Sequence, residues 1–420
     1  MNKTKHPFIK NVLTLMSGTA FAQLLSILAS PLLSRIFTPE DFALQASFVS
    51  VTSLCLVFCS GKIEQAILLP KEDEEARHIL RFSIILCSVV CLILPIIING
   101  VARFNKAFNQ VVVNKLVFVS IVFVFCSSLC ESFRVYFLRH KKFRAISSRT
   151  IVTSIATVVL NLFCGYFIYS NKVLITSTTI AQIIALFLFL VLFYRFFGNE
   201  RVDWTKRKIK PIFSKYWQFP ALMMPGQLLN SLTGNLPILV LTGYYSSYEM
   251  GLYAFVHKIV TIPMSVIGSS VTQVFLQRFS KCEKNEQLSF FIKTSFILFF
   301  IILIPAVICV IFAPFLFEFI FGEKWIPCAN LARLMSPFFI FQFAITPVSG
   351  AVFIINKKLH IDLLLQLIRV ALIGSSFVIS RLLSLSFDFT IFSYSISLVG
   401  FYLITFISSI IIMKRNKNEN

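Results

Sequence analysis

The sequence predicts an all-α, polytopic membrane protein with about 12 transmembrane helices in two six-helix lobes. Three observations point there: unbroken apolar runs long enough to span a bilayer, a low density of charge, and basic residues gathered in alternate connecting segments.

Hydrophobic residues make up 57% of the chain and charged residues 14%, with a mean hydropathy of +0.83. A soluble domain carries about 25% charged residues, so this composition leaves too little polar surface for water. The 48 phenylalanines suit a chain whose outer rings face acyl chains. Because the runs are continuous rather than alternating, helices are expected and not a barrel.

In chain order the first run, 11–34, follows Lys3, Lys5 and Lys10. It passes beyond the length of a signal core with no small-residue cleavage site, which predicts a retained helix. Runs at 42–60 and 78–98 carry Cys55/Cys59 and Cys87/Cys91, and the run at 115–137 carries Cys126/Cys130 with Glu131 and Arg134. Each cysteine pair shares a helix face, but two thiols without a nearby histidine make a poor metal site. They are read as small apolar filler, and neither a metal site nor a disulfide framework is expected. Runs at 146–169 and 173–197 complete the first set. The second set spans 220–243, 251–277, 289–313, 328–353, 361–381 and 389–413.

Pro225, Pro237, Pro263, Pro305, Pro337 and Pro347 all fall in the second set. Each removes a helix hydrogen bond, so neighbouring helices or a watery cavity must satisfy the freed carbonyl. The run 220–243 is the most broken, carrying Gly226, Asn230, Gly234 and Asn235 as well.

The longest polar stretch, 198–218, lies near the midpoint. It divides the chain into an N-terminal lobe, 1–197, and a C-terminal lobe, 219–413, with a tail at 414–420. A faint internal echo supports two halves: Pro31-Leu32-Leu33 precedes Asp41-Phe42-Ala43-Leu44, and Pro237-Ile238-Leu239 precedes Glu249-Met250-Gly251-Leu252. Two such halves would be parallel repeats about an axis along the membrane normal.

The net charge of +21 does not signal nucleic acid, because its spacing is topological. Lys62, Lys71, Arg77, Arg139, Lys141, Lys142, Arg144, the cluster from Arg195 to Lys215, Arg278, Lys281, Lys284, Lys358, Lys414 and Arg415 fall on the side of the N-terminus. Arg35, Arg103, Lys106, Lys115, Lys172, Lys324 and Arg381 fall opposite. The positive-inside bias then predicts both termini in the cytoplasm and an even number of spans.

Charges inside spans are costly, about 2.5–3.5 kcal/mol on insertion scales, and mark interiors or water-filled paths. Lys258 and Arg369 each lie ~12 Å into their spans at 1.5 Å per residue. Arg333 is shallower, and Arg134 and Arg149 lie near span ends. Glu131 and Arg134, three apart, can pair on one helix face. This mainly cationic set suits an anionic cargo such as a diphosphate, which an arginine fork grips bidentately. A pump for cationic drugs would show carboxylates instead.

No GxxxxGK[ST] phosphate loop is present, and no soluble loop carries paired carboxylates or a Ser/His/Asp set. The five histidines are scattered. No catalytic residue and no cofactor are expected, and the chain is read as a transporter, not an enzyme. A membrane-embedded polymerase would need large outer loops, and every outer loop here is short.

Specific strings add a family resemblance. SPLLSR at 30–35, Thr38-Pro39-Glu40-Asp41-Phe42, and Glu64 with Ala66-Ile67-Leu68-Leu69-Pro70 resemble the opening of the Wzx-type polysaccharide flippases. These belong to the multidrug/oligosaccharidyl-lipid/polysaccharide exporter superfamily. FPALMMPGQLLNSLTGNLPILVL from Phe219 and GLYAFVHKIVTIPMSVIGSSVTQVF from Gly251 resemble the start of that family's second lobe. Two departures are Ala43, where relatives commonly have Gly, and Gly61-Lys62-Ile63-Glu64, where they often read Gly-Arg-Tyr-Glu. Lys62 keeps the charge but lacks the arginine fork.

The resemblance implies a MATE-like pair of lobes around a cationic central cavity, carrying undecaprenyl-diphosphate-linked oligosaccharide across the membrane for O-antigen or capsule assembly. It implies coupling to an ion gradient or the membrane potential, with Glu64 at a motif position. Membrane lipids, a polysaccharide polymerase and a chain-length regulator are the implied partners. Arg35 joins Lys258, Arg333 and Arg369 as a candidate diphosphate contact through its motif position. Glu131 is a second candidate for ion coupling, chosen by depth, and Asp362 a weaker one. The alternative within the same superfamily is a small-molecule or multidrug antiporter.

Overall fold

The computed structural model describes residues 5–59, 61–198, 214–356 and 358–418. Every regular element among them is helical, and 11 helices are long and apolar enough to cross a membrane. In order these are α1 (Lys5–Ile36), α2 (Pro39–Cys59), α3 (Asp73–Ala102), α5 (Val117–Arg139), α6 (Phe143–Phe167), α7 (Val173–Phe197), α9 (Ser247–Phe279), α10 (Lys284–Phe321), α11 (Cys328–Ile355), α12 (Leu359–Leu382) and α13 (Phe387–Asn418).

Most helices extend past the apolar runs expected from hydropathy, because polar caps and charges place their ends. Helix α3 opens with Asp73, Glu74 and Glu75, charges that complement the partial positive charge of a helix N-terminus. Helix α9 opens with a reciprocal cap: the Ser246 hydroxyl accepts from the Glu249 amide at 3.2 Å, and the Glu249 carboxylate accepts from the Ser246 amide at 2.9 Å.

Hydropathy misses short elements between the spans. The short helix α4 (Lys106–Val113) is capped by the Asn105 carbonyl oxygen, which accepts from the Ala107 amide at 2.9 Å. A 3₁₀ segment, Ile63–Leu68, follows α2. The expected seventh span is helical but differs from the rest. It begins with a π turn, Phe219–Met223, and continues as α8 (Met224–Leu241). Gln227, Asn230 and Asn235 dilute its apolar character, so it is not among the 11.

By packing, the chain forms two compact units. One holds Met1–Ala29 with Glu40–Gly243, and the other holds Ser30–Pro39 with Tyr244–Asn420. The boundary expected at 198–218 divides the chain differently. Residues 199–213 lie outside the described residues, but after them Tyr216 and Leu239 are buried in the hydrophobic cluster of the first unit. Asn105 Nδ2 also donates to the Leu239 carbonyl at 3.1 Å, and the Lys215 ammonium and the Tyr216 hydroxyl both bond Glu75 of α3. Helix α8 therefore packs with the helices that precede the linker.

Within the first unit α5 packs against α3 and α7. Ser83 and Ser132 hydrogen-bond across α3 and α5 at 2.7 Å, fully buried. Toward the C-terminal ends of α5 and α7, Tyr136, His140, Phe193 and Phe197 stack with centroids 4.7–5.5 Å apart.

Within the second unit α11 packs against α9, α10 and α13. Helix α10 exposes Phe300, Ile304, Ile311, Phe315 and Phe319, an apolar face suited to lipid. The 30–39 segment belongs here because the turn after α10 caps the end of α1. Lys324 Nζ donates to the carbonyls of Arg35 (3.2 Å) and Phe37 (2.7 Å), and Trp325 Nε1 donates to that of Ser34 (2.9 Å). The Ser34 and Arg35 carbonyls are among the last of α1, which have no donor within the helix, that of Phe37 follows directly, and the cation also meets the helix's negative end. Trp325 in turn stacks on Phe255 at 3.9 Å. Gly251 lies so close to this corner that a Cβ would sit 1.8 Å from the Pro39 carbonyl oxygen.

Candidate functional site

In the first unit the backbone breaks its helical course at a buried point. Helix α2 ends at Cys59, and Gly61 (φ 55°) and Lys62 (φ 61°) are both left-handed before the 3₁₀ segment begins. A Cβ on Gly61 would stand 3.7 Å from Leu86 Cδ2, and Leu86 is ~20 Å along α3 from its start at 1.5 Å per residue. Non-helical backbone at such depth persists only where protein or a watery cavity satisfies it. A left-handed lysine costs on the order of 1–3 kcal/mol, a strain that concentrates at functional sites.

Five charges gather around this break. Glu64 is 1% exposed, with Lys62 Nζ 3.9 Å from its carboxylate. On α5, Arg134 grips Glu131 bidentately, Nε to Oε2 at 2.8 Å and Nη2 to Oε1 at 2.5 Å. Lys62 and Arg149 lie within electrostatic reach of Glu131, and Glu64 within reach of Arg134. Arg149, on α6, has a buried Nε with no hydrogen-bond partner among the described residues, and its guanidinium faces the Phe189 ring at 6.0 Å. The structure thus brings together Glu64 and Glu131, the two candidates for ion coupling, and surrounds them with three cations.

A further residue holds this break in place. Arg139, at the end of α5, donates from Nη1 to the carbonyls of Ile67 (3.1 Å) and Pro70 (2.7 Å) and from Nε to Asp73 (3.0 Å). It clamps the return path from the 3₁₀ segment to α3. Sequence reading counted Arg139 only among the topological charges, since no local pattern shows which carbonyls need a donor.

In the second unit Arg369 lies on α12 with its guanidinium 5.4 Å from the Phe401 ring centroid. Among the described residues its buried Nε has no hydrogen-bond partner and no carboxylate pairs with it. His257, Tyr394 and Tyr402 stand within its electrostatic reach. Lys258, half-buried on α9, directly follows His257. The structure therefore places Arg369 beside the turn of α9 that carries Lys258. Asp362, at the start of α12, is half-buried.

Arg333 and Arg35 are both exposed. Arg333 Nε donates to the Val310 carbonyl at 2.9 Å. That carbonyl lies four residues before Pro314, whose missing N–H leaves it without a helical donor. Arg333 repairs a proline break in α10, and the Ser336 hydroxyl does the same for Arg333's own carbonyl before Pro337, at 2.8 Å. Arg35 lends its backbone carbonyl to Lys324.

Residues 32–330 match the model of a family described as "Polysaccharide biosynthesis protein". The chain belongs to that family. No curated protein sequence matches it. Among solved structures it resembles the lipid II flippase MurJ in an inward closed conformation, with a TM-score of 0.73 at 14% identity over 96% of this chain and 90% of that one. It also resembles an inward-facing multidrug resistance MATE family transporter of the MOP superfamily, with a TM-score of 0.68 at 14% identity over 96% and 95%. A third is a MOP superfamily transporter from Pyrococcus furiosus, with a TM-score of 0.61 at 13% identity over 97% and 96%. This polysaccharide biosynthesis family member shares the transporter fold of that superfamily.

Proposed function

We propose that this protein is a Wzx-type flippase of the bacterial inner membrane, moving undecaprenyl-diphosphate-linked oligosaccharide repeat units from the cytoplasmic to the periplasmic face. The product would feed O-antigen or capsular polysaccharide. The observation that carries the reading is Arg369, a guanidinium held among aromatic rings with a buried, unused donor and no carboxylate partner. A half-buried cation in that state suits a transported anion, because a diphosphate supplies the missing acceptors where low dielectric makes charge-assisted bonds strong. Arg35, Lys258 and Arg333 are the further candidate diphosphate contacts, through guanidinium and ammonium donors. Membership of the polysaccharide biosynthesis family and the fold likeness to a lipid II flippase favour the same cargo class.

We place ion coupling at Glu64 and Glu131, with alternating access of two lobes, both termini cytoplasmic and no chemical step on the substrate. A carboxylate at a buried backbone break can exchange a proton or cation during a transport cycle. The same two acids favour the second reading, a small-molecule antiporter. Deleting the gene separates the two. Lipid-linked repeat units should build up on the cytoplasmic face while surface polysaccharide disappears; unchanged surface glycan with altered drug tolerance would support the antiporter instead.

A further inference from the structure

Three cysteines from two of the pairs meet in space, one from α2 and two from α3. Cys59 Sγ, at the last residue of α2, is 3.4 Å from Cys91 Sγ and 3.8 Å from Cys87 Sγ on α3. All three sulfurs lie within 4.8 Å of one another, and the three residues are 0–6% exposed. Thiolates at Zn–S distances of about 2.3 Å around a tetrahedral ion sit about 3.8 Å apart, close to the separations found. The Ser128 hydroxyl lies beside Cys87, is buried and has no other hydrogen-bond partner among the described residues.

We propose that Cys59, Cys87 and Cys91 form a binding site for one zinc ion, with the fourth position filled by Ser128 or a water molecule. Binding releases three protons as the three thiols become thiolates, and the ion leaves a net charge of −1 on the tris-thiolate. Lys62, three residues beyond Cys59 in the left-handed turn, supplies positive charge near it. Zinc fits because it takes three or four sulfur and oxygen ligands without redox change. Its place at the end of α2 would tie the break at Gly61 and Lys62 to the middle of α3. The inference is independent of the cargo proposed above.

The test is metal content of the full-length protein, purified in detergent under reducing conditions, equilibrated with zinc sulfate, and freed of loose metal by gel filtration. About one zinc per chain is expected for the wild type and for Cys282→Ser, a cysteine of the other unit. Less than about a tenth of that is expected for Cys59→Ser, Cys87→Ser and Cys91→Ser. Replacing zinc by cobalt(II) should give the intense sulfur-to-metal absorption and tetrahedral visible bands in the wild type and Cys282→Ser, and not in the Cys59, Cys87 or Cys91 variants. A wild type that holds no zinc and shows no cobalt–thiolate band would overturn the proposal, as would zinc retained by a Cys59→Ser/Cys87→Ser/Cys91→Ser triple variant. Monodisperse elution of each variant guards against loss of metal through misfolding. Should single variants fail that check, competition in folded wild type is the substitute: zinc, but not magnesium, is expected to displace cobalt and erase the cobalt–thiolate band. A band that zinc leaves unchanged refutes the site.

Discussion

Replacing Arg139 tests whether the buried break is held by the clamp. The guanidinium donates to two carbonyls, those of Ile67 and Pro70, and reaches Asp73 as well. A hydrogen bond involving a charged group contributes roughly 1.5–3 kcal/mol. Two would give about 3–6 kcal/mol, and the lower end is expected because water can reach carbonyls near the end of α5. The Asp73 pair adds little, since its carboxylate side chain is 56% exposed and such pairs contribute about 0–1 kcal/mol. Arg139→Ala should therefore destabilise the first unit by about 3 kcal/mol. At roughly 2–4 °C per kcal/mol for a unit of this size, thermal unfolding in detergent should shift down by roughly 6–12 °C. Arg139→Lys, with one ammonium for two carbonyls, should lose about half as much by the same per-bond figure. Asp73→Asn should shift the midpoint by about 4 °C or less. If Arg139→Ala falls no further than Asp73→Asn, the carbonyl contacts do not support the break and the clamp is wrong.

Four other outcomes follow from the same structure. Arg369→Ala and Lys258→Ala should each cut surface glycan at least about tenfold, the loss of a charge-assisted contact, with unchanged protein in the membrane; normal export by both would remove the cationic site. Glu64→Gln and Glu131→Gln should abolish the response of export to the ion gradient in vesicles, and an unaltered response would exclude both as coupling groups. Arg333→Ala should lower thermal stability by about 1–3 kcal/mol by stranding the Val310 carbonyl, and a variant as stable as wild type would show that water satisfies it. Gly251→Ala should sharply reduce folded protein, because its Cβ would meet the Pro39 carbonyl oxygen; gel-filtration yield near wild type would show that the corner can move.

Much of the fold was legible because hydropathy is a local property. An apolar run of spanning length must be helical in lipid, so the runs at 173–197 and 328–353 coincide closely with α7 and α11. The seventh run shows where that logic weakens: its helix forms, but its polar residues and prolines leave the pattern below that of its neighbours. Site residues were less legible. The Glu131–Arg134 pair could be read from three-residue spacing, and the structure forms it. Arg369 could be flagged by depth, but its lack of a carboxylate depends on which faces of α12 and α13 meet.

What the sequence determined by itself was the solvent of each segment: which residues cross lipid, which turns stay polar, and that cations lie within spans. Those follow from transfer energies that sum along the chain. Only the tertiary structure decided partners across hundreds of positions. It placed α8 with the helices before the linker, gave Arg139 and Arg333 to stranded carbonyls, capped the SPLLSR corner with Lys324 and Trp325, and drew Cys59 onto Cys87 and Cys91. Each of these satisfies a buried polar group or fills a close-packed space, and the donor or neighbour that does so is chosen by geometry in three dimensions, which no local pattern encodes.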